Sequence, residues 1–187
     1  MTQTIIANIN SANSWVSFLV ALFFIEACLL ISFRILPGAS FWGATINEWY
    51  DQFGLVAILL DITIVLIGFW LTMWFYQLVW GSKDIVFWKF LALFLVIQII
   101  HDIGFYFLII NPVPKGHNAI IDLMKRYGER HGGLTVLGDS LMVILAVVIW
   151  WCISGGFNWF EGVAFGGLIG VLLVSLYMIG YGLFTKW

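Results

Sequence analysis

The chain reads as an all-α polytopic membrane protein, with five transmembrane helices and two short interfacial amphipathic helices. Three observations carry that reading. Hydrophobic residues fill 63% of the 187 positions and charged residues only 10%, whereas a soluble domain carries about 25% charge. Mean hydropathy is +1.04, and several apolar runs reach the ~20 residues needed to cross a hydrocarbon core. No run of about ten residues alternates as a barrel strand would, so backbone groups placed in lipid must find their partners within helices.

Taken in order, the first span covers about 15–36 and stops at Pro37-Gly38. The second covers 55–80 and ends at "GSKD"; the third covers 85–110 and ends at "NPVP". The fourth covers 134–153, stopped by "SGG", and the fifth covers 159–184. Between the first and second spans, "TINEWYDQF" places Ile46, Trp49, Tyr50 and Phe53 at helical spacing. A surface helix over about 46–53 is predicted, with Thr45 and Glu48 as a capping box. Between the third and fourth, Ile120, Ile121, Leu123, Met124 and Tyr127 face away from Asp122, Lys125, Arg126, Glu129 and Arg130. That pattern predicts a second surface helix over about 119–131. Neither loop is long enough for a soluble domain, so residues 1–187 are expected to form a single membrane domain. The third and fourth spans each carry an Asp, but their flanking sequences do not match as an internal repeat.

Five spans place the termini on opposite sides, and the basic residues choose between them. Lys83 and Lys89 fall on the N-terminal side; Arg34, Lys115, Lys125, Arg126, Arg130 and Lys186 fall on the other. The positive-inside rule then predicts the N-terminus outside and the C-terminus in the cytoplasm. Trp15, Trp74, Trp80, Trp88, Trp150, Trp151 and Trp159 gather toward the outer ends of the spans, as an interfacial belt requires. No positive residue precedes the first span, so a cleaved secretory signal is not expected. Cys28 and Cys152 are the two cysteines, without a CxxC pattern, and read as small buried hydrophobes. The lipid bilayer is the expected partner, with a second copy of the chain or other membrane subunits as further partners. Nucleic acid is excluded, because no basic run is long enough.

The functional signal lies in the ionisable residues inside the spans. By helical rise, Glu26 sits ~16 Å from the inner face, Asp102 ~14 Å, Asp61 ~9 Å and Asp139 ~8 Å. Arg34 lies close to the interface. All fall in the cytoplasmic half of the bilayer, and an Asp near a helix centre costs ~2.5–3.5 kcal/mol on insertion scales. Such groups should therefore face inward and meet. Gln98, His101, Asp102 and Phe105 share one helical face; Thr135, Asp139 and Met142 another; Asp61, Val65, Gly68 and Thr72 a third. His101, Asp102, Asp139 and Asp61 are the candidate proton, ion or acid–base residues, with Glu26, Arg34 and Gln98 in support.

Several chemistries suit such a set. A proton or cation path needs buried carboxylates and His without fixed spacing. An acid–base enzyme would use His101 with an orienting Asp, and Ser140 is a weak nucleophile candidate. A membrane-embedded metalloenzyme would draw on one His and several acids. No HExxH or ExxH pair is present, however, and adjacent His101 and Asp102 point ~100° apart. No cofactor motif is present and the metal is unassigned. The leading expectation is a cluster that handles protons, cations or a small polar substrate. The rival is a structural subunit of a membrane complex or virion membrane, where the same residues would only lock helices. His117 and His131 read as exposed loop residues, and Lys115, Lys125, Arg126 and Arg130 as topology determinants. Gly162, Gly166 and Gly170 form a small-residue stripe suited to close internal packing or to an oligomer seam.

Overall fold

The computed structural model describes residues 5–6, 12–35, 40–81, 84–156, 167 and 170. Among them the chain is helical: α1 (Ala12–Ile35), α2 (Ser40–Phe53), α3 (Leu55–Trp80), α4 (Phe87–Phe105), α5 (Ala119–His131) and α6 (Leu134–Gly156). A π-helical turn, Tyr106–Ile110, extends α4, and two short strands, β1 (Ile5–Ile6) and β2 (Ile85–Val86), pair antiparallel. Four helical stretches are long and apolar enough to cross a membrane: Ser14–Ser32, Leu55–Trp80, Phe87–Ile110 and Leu134–Ser154. The expected fifth span lies outside the described residues except for Gly167 and Gly170. A Cβ added at Gly170 would come 3.2 Å from the Phe23 Cβ of α1, so this part of the glycine stripe serves internal packing.

The spanning helices interlock: α1 packs on α6, α3 on α4, and α4 on α6. Their shared core is aromatic. Phe18 and Phe69 stack with ring centroids 3.8 Å apart, and Trp150 meets Phe69 edge-on at 5.0 Å. Phe90 and Phe94 complete the cluster, and all five side chains are fully buried. Edge-to-face and offset pairs of this kind add about 0.5–1.5 kcal/mol each beyond their burial. Trp70, Trp74, Leu78, Trp88, Ile100, Phe107 and Leu108 are instead exposed, as side chains facing lipid would be.

The amphipathic helices differ in detail from expectation. α2 begins at Ser40, about a turn and a half earlier than the predicted start, and no proline interrupts the helix. Thr45 and Glu48 consequently lie inside the helix and do not form a capping box. α5 is capped by Asn118, whose Oδ1 accepts the Ile120 and Ile121 amides at 2.9 and 3.1 Å. Lys125 donates to the carbonyls of Asn111 and Val113, tying α5 to the end of the π turn. Cys152 is exposed and Cys28 half-buried, so neither is the fully buried hydrophobe expected; both sit near the outside of the packed helices.

Candidate functional site

The site is assembled where α2 and α5 meet the ends of the spanning helices. Glu26 of α1 is fully buried (0% exposed). Tyr50 of α2 donates its phenolic O–H to Glu26 Oε1 at 2.6 Å. One residue earlier on α2, Trp49 donates its indole N–H to Asp61 Oδ2 of α3 at 3.0 Å. Glu26 and Asp61 lie within electrostatic reach of each other. Two neighbouring aromatics of one surface helix thus roof two carboxylates from two spanning helices. Tyr and Trp suit this position because an apolar ring fills space while a polar tip reaches a partner.

A second group comes from α4, α5 and α6. Asp102 Oδ1 accepts from Gln98 Nε2 at 2.7 Å and lies 3.2 Å from His101 Nδ1. The first of these is the one-turn pairing that shared helical faces produce. The His101 ring lies parallel to Phe105, with centroids 5.5 Å apart. Asp139 of α6, exposed at its own surface, is within electrostatic reach of both Asp102 and Asp61. Tyr127 of α5 faces the same region: burial, then Asp139 and Asp61, push its phenol well above the usual range. Glu26, Asp61, Asp102 and Asp139 therefore form one connected electrostatic group. The side chain of Arg34 lies outside the described residues.

Two oxygens in this group have no hydrogen-bond partner, Glu26 Oε2 and Asp102 Oδ2, and both are buried. Leaving a buried acceptor unsatisfied costs about 1–3 kcal/mol, and more for a charged group. Asp102 therefore uses one oxygen for structure and leaves the other open, and Glu26 does the same. Such an oxygen can take a proton and become a donor to a neighbouring carboxylate. A metal centre would need a convergent ligand set; among the described residues, no group of three or more His, Cys, Asp or Glu could hold one.

Nearby, α2 and α5 are clamped around a cleft of about 390 Å³ lined by Thr45, Glu48, Arg126, Glu129 and Arg130. Arg126 pairs with Glu48, Arg130 donates to Thr45 Oγ1 at 3.1 Å, and His131 Nε2 lies 3.2 Å from the same hydroxyl. His131 is buried, contrary to its expected exposure, because it closes the last turn of α5 against α2. Burial, reinforced by Arg130, holds its imidazole below the ordinary range. His117 is exposed, as expected. Arg126 and Arg130 of α5 thus reach Glu48 and Thr45 of α2, while Glu129 pairs with Lys115 at 3.1 Å, so the cleft is a polar clamp holding the roof in place.

Trp49, Tyr50 and Tyr127 do not stand out as site residues in the sequence. They carry the apolar stripes of surface helices, and only their polar tips distinguish them. No protein-family model, curated protein or solved structure matches the chain.

Proposed function

We propose that this chain is a polytopic membrane protein that takes up and releases protons. The exchange takes place at the Glu26, Asp61, Asp102 and Asp139 cluster. The single observation that carries the reading is Glu26: a fully buried carboxylate with one oxygen held by Tyr50 and the other without a partner. A residue serving only to lock helices would be expected to satisfy both oxygens, since interhelical bonds repay burial only when complete. His101, in contact with Asp102 and 36% exposed at its side chain, provides a titratable group between the cluster and the surroundings. The basic residues on α5 favour a topology with α2 and α5 at the cytoplasmic face and the N-terminus outside. The bilayer is the partner that the exposed aromatics contact.

Reconstitution in vesicles with an internal pH-sensitive dye tests the reading. Wild-type protein is expected to dissipate an imposed pH gradient, and Asp102→Asn to abolish that flux while melting at the wild-type temperature. Flux unchanged in Asp102→Asn, or lost only together with folding, would favour the helix-locking role.

A further inference from the structure

The two halves of the described chain follow one plan. A spanning helix leads to an amphipathic helix, a glycine corner and a second spanning helix, first as α1, α2, Gly54, α3 and again as α4, α5, Gly132, α6. The corners match in backbone conformation: Gly54 has φ 51°, ψ −124°, and Gly132 has φ 55°, ψ −134°. L-residues rarely adopt this combination. Both corner amides bond to the carbonyl one turn back, Gly54 to Tyr50 at 2.9 Å and Gly132 to Gly128 at 2.8 Å.

Residues fall into step from these corners. Asp61 is the seventh residue after Gly54, and Asp139 the seventh after Gly132. Trp49 stands five before the first corner and Tyr127 five before the second. Buried Val65, Gly68, Phe69 and Thr72 of α3 correspond at the same offset to buried Val143, Ala146, Val147 and Trp150 of α6. In the leading helices, Glu26 follows the fully buried Phe18 by eight residues, and Asp102 follows the fully buried Phe94 by eight.

The packing is reciprocal. α1 lies on α6 and α3 on α4, so each leading helix meets the other half's second helix. The strands ahead of the leading helices pair Ile5 with Val86 and Ile6 with Ile85, the antiparallel pairing that a local twofold relation gives. Phe18 and Phe94 approach each other with ring centroids 6.1 Å apart.

We propose that the chain contains two parallel repeats of one helix–surface helix–helix unit, and that the pseudo-twofold axis between them carries a single proton-exchange site. That site is built from two equivalent half-sites, Glu26 with Asp61 and Asp102 with Asp139. The function of the pair rests on the proton-handling reading above; the equivalence of the halves does not. Sites between parallel repeats recur in membrane proteins because the repeat interface presents matching groups from both sides. Each half-site here has the same division of labour. One oxygen of the leading-helix acid is held by donors, Tyr50 for Glu26 and Gln98 with His101 for Asp102. The other oxygen is buried and unpartnered.

A proton bound at Glu26 Oε2 turns a carboxylate into an O–H donor, within electrostatic reach of Asp61; release restores the carboxylate, with no other bond made or broken. Asp139, which senses both Asp102 and Asp61, joins the halves. The titratable groups around the site are Glu26 on α1, Tyr50 on α2, Asp61 on α3, His101 and Asp102 on α4, Tyr127 on α5 and Asp139 on α6.

Infrared titration of the carboxylic-acid carbonyl band in the purified full-length protein tests the equivalence. Asp61→Asn and Asp139→Asn are each expected to move the midpoint of the remaining band in the same direction. The expected shift is about one pH unit in each, the scale of coupling between neighbouring carboxyls. Trp49→Phe and Tyr127→Phe remove the polar tip and leave an aromatic ring, and are expected to give a second matched pair of smaller shifts. Asp51→Asn, at an exposed position on α2, is expected to leave the midpoint in place. A shift in Asp61→Asn with none in Asp139→Asn would overturn the two half-sites, and so would an equal shift in Asp51→Asn. A band that responds to sodium at fixed pH would overturn the proton assignment. Matched shifts in a protein that passes no protons across vesicles would sink the transport reading and leave the equivalent half-sites standing.

Discussion

The two repeats place equivalent carboxylates in unequal surroundings. In the first, Glu26 is fully buried beneath Tyr50. In the second, the Asp102 side chain is 13% exposed, and Asp139 lies at the surface. The leading helices differ in the same sense: 56% of the apolar window of α1 is buried, against 17% for α4. Gly167 and Gly170 pack against Val20 and Phe23 of α1, while the corresponding Val96 and Ile99 of α4 are exposed. One plan thus yields an enclosed half-site and an open one. On the proposed proton-handling reading, the enclosed group would hold the proton and the open one would reach the surroundings.

The π-helical turn follows Asp102 in the second repeat, and α1 has no such turn after Glu26 among the described residues. Extra residues of this kind inside helices are frequent at functional sites. Here the turn sits between Asp102 and α5, with Asn111 bonding back to the Tyr106 carbonyl at 2.8 Å. It shifts the register by which α4 meets its surface helix, and so separates the second half-site from a strict copy of the first.

The largest effect that could break the comparison lies on the axis. Phe69→Ala removes a fully buried ring touching both halves and is expected to cost about 3–5 kcal/mol, read as loss of cooperative thermal melting in detergent. Trp88→Ala, at a 73% exposed position, is the contrast and is expected to melt near wild type. A smaller and more discriminating effect lies at the corners. Gly54→Ala and Gly132→Ala force a side chain into the same strained conformation, and each is expected to cost about 1–3 kcal/mol. Neither added Cβ would meet a neighbour within 4 Å, so backbone strain alone sets the cost and the two losses should agree. Unequal losses would mean that the corners are not equivalent.

Much of this architecture is legible in the sequence, and the exceptions share a cause. Long apolar runs mark α3 and α6 because hydrocarbon demands them over a fixed thickness. The acids stand out because charge is rare in such runs. The repeat is nearly invisible. "GLVAILLD" at 54–61 and "GGLTVLGD" at 132–139 share only the leading glycine, one leucine and the aspartate. Their likeness lies in backbone dihedrals and in which positions are buried, and apolar residues of many kinds satisfy that burial. Trp49, Tyr50 and Tyr127 escape notice for a related reason: an aromatic on an amphipathic stripe looks the same whether its polar tip meets water or a carboxylate. His131 reads as a loop residue because its burial depends on α2, which is distant in sequence.

The central claim is that the enclosed oxygen of Glu26 takes part in proton exchange, and proton flux in vesicles tests it most directly. Glu26→Gln retains the shape and an acceptor for Tyr50 but cannot take up or release a proton as a carboxylate does. Flux should fall to the level of protein-free vesicles in Glu26→Gln and stay at the wild-type level in Glu129→Gln, whose partner is the exposed Lys115. Wild-type flux in a correctly folded Glu26→Gln protein would contradict the account.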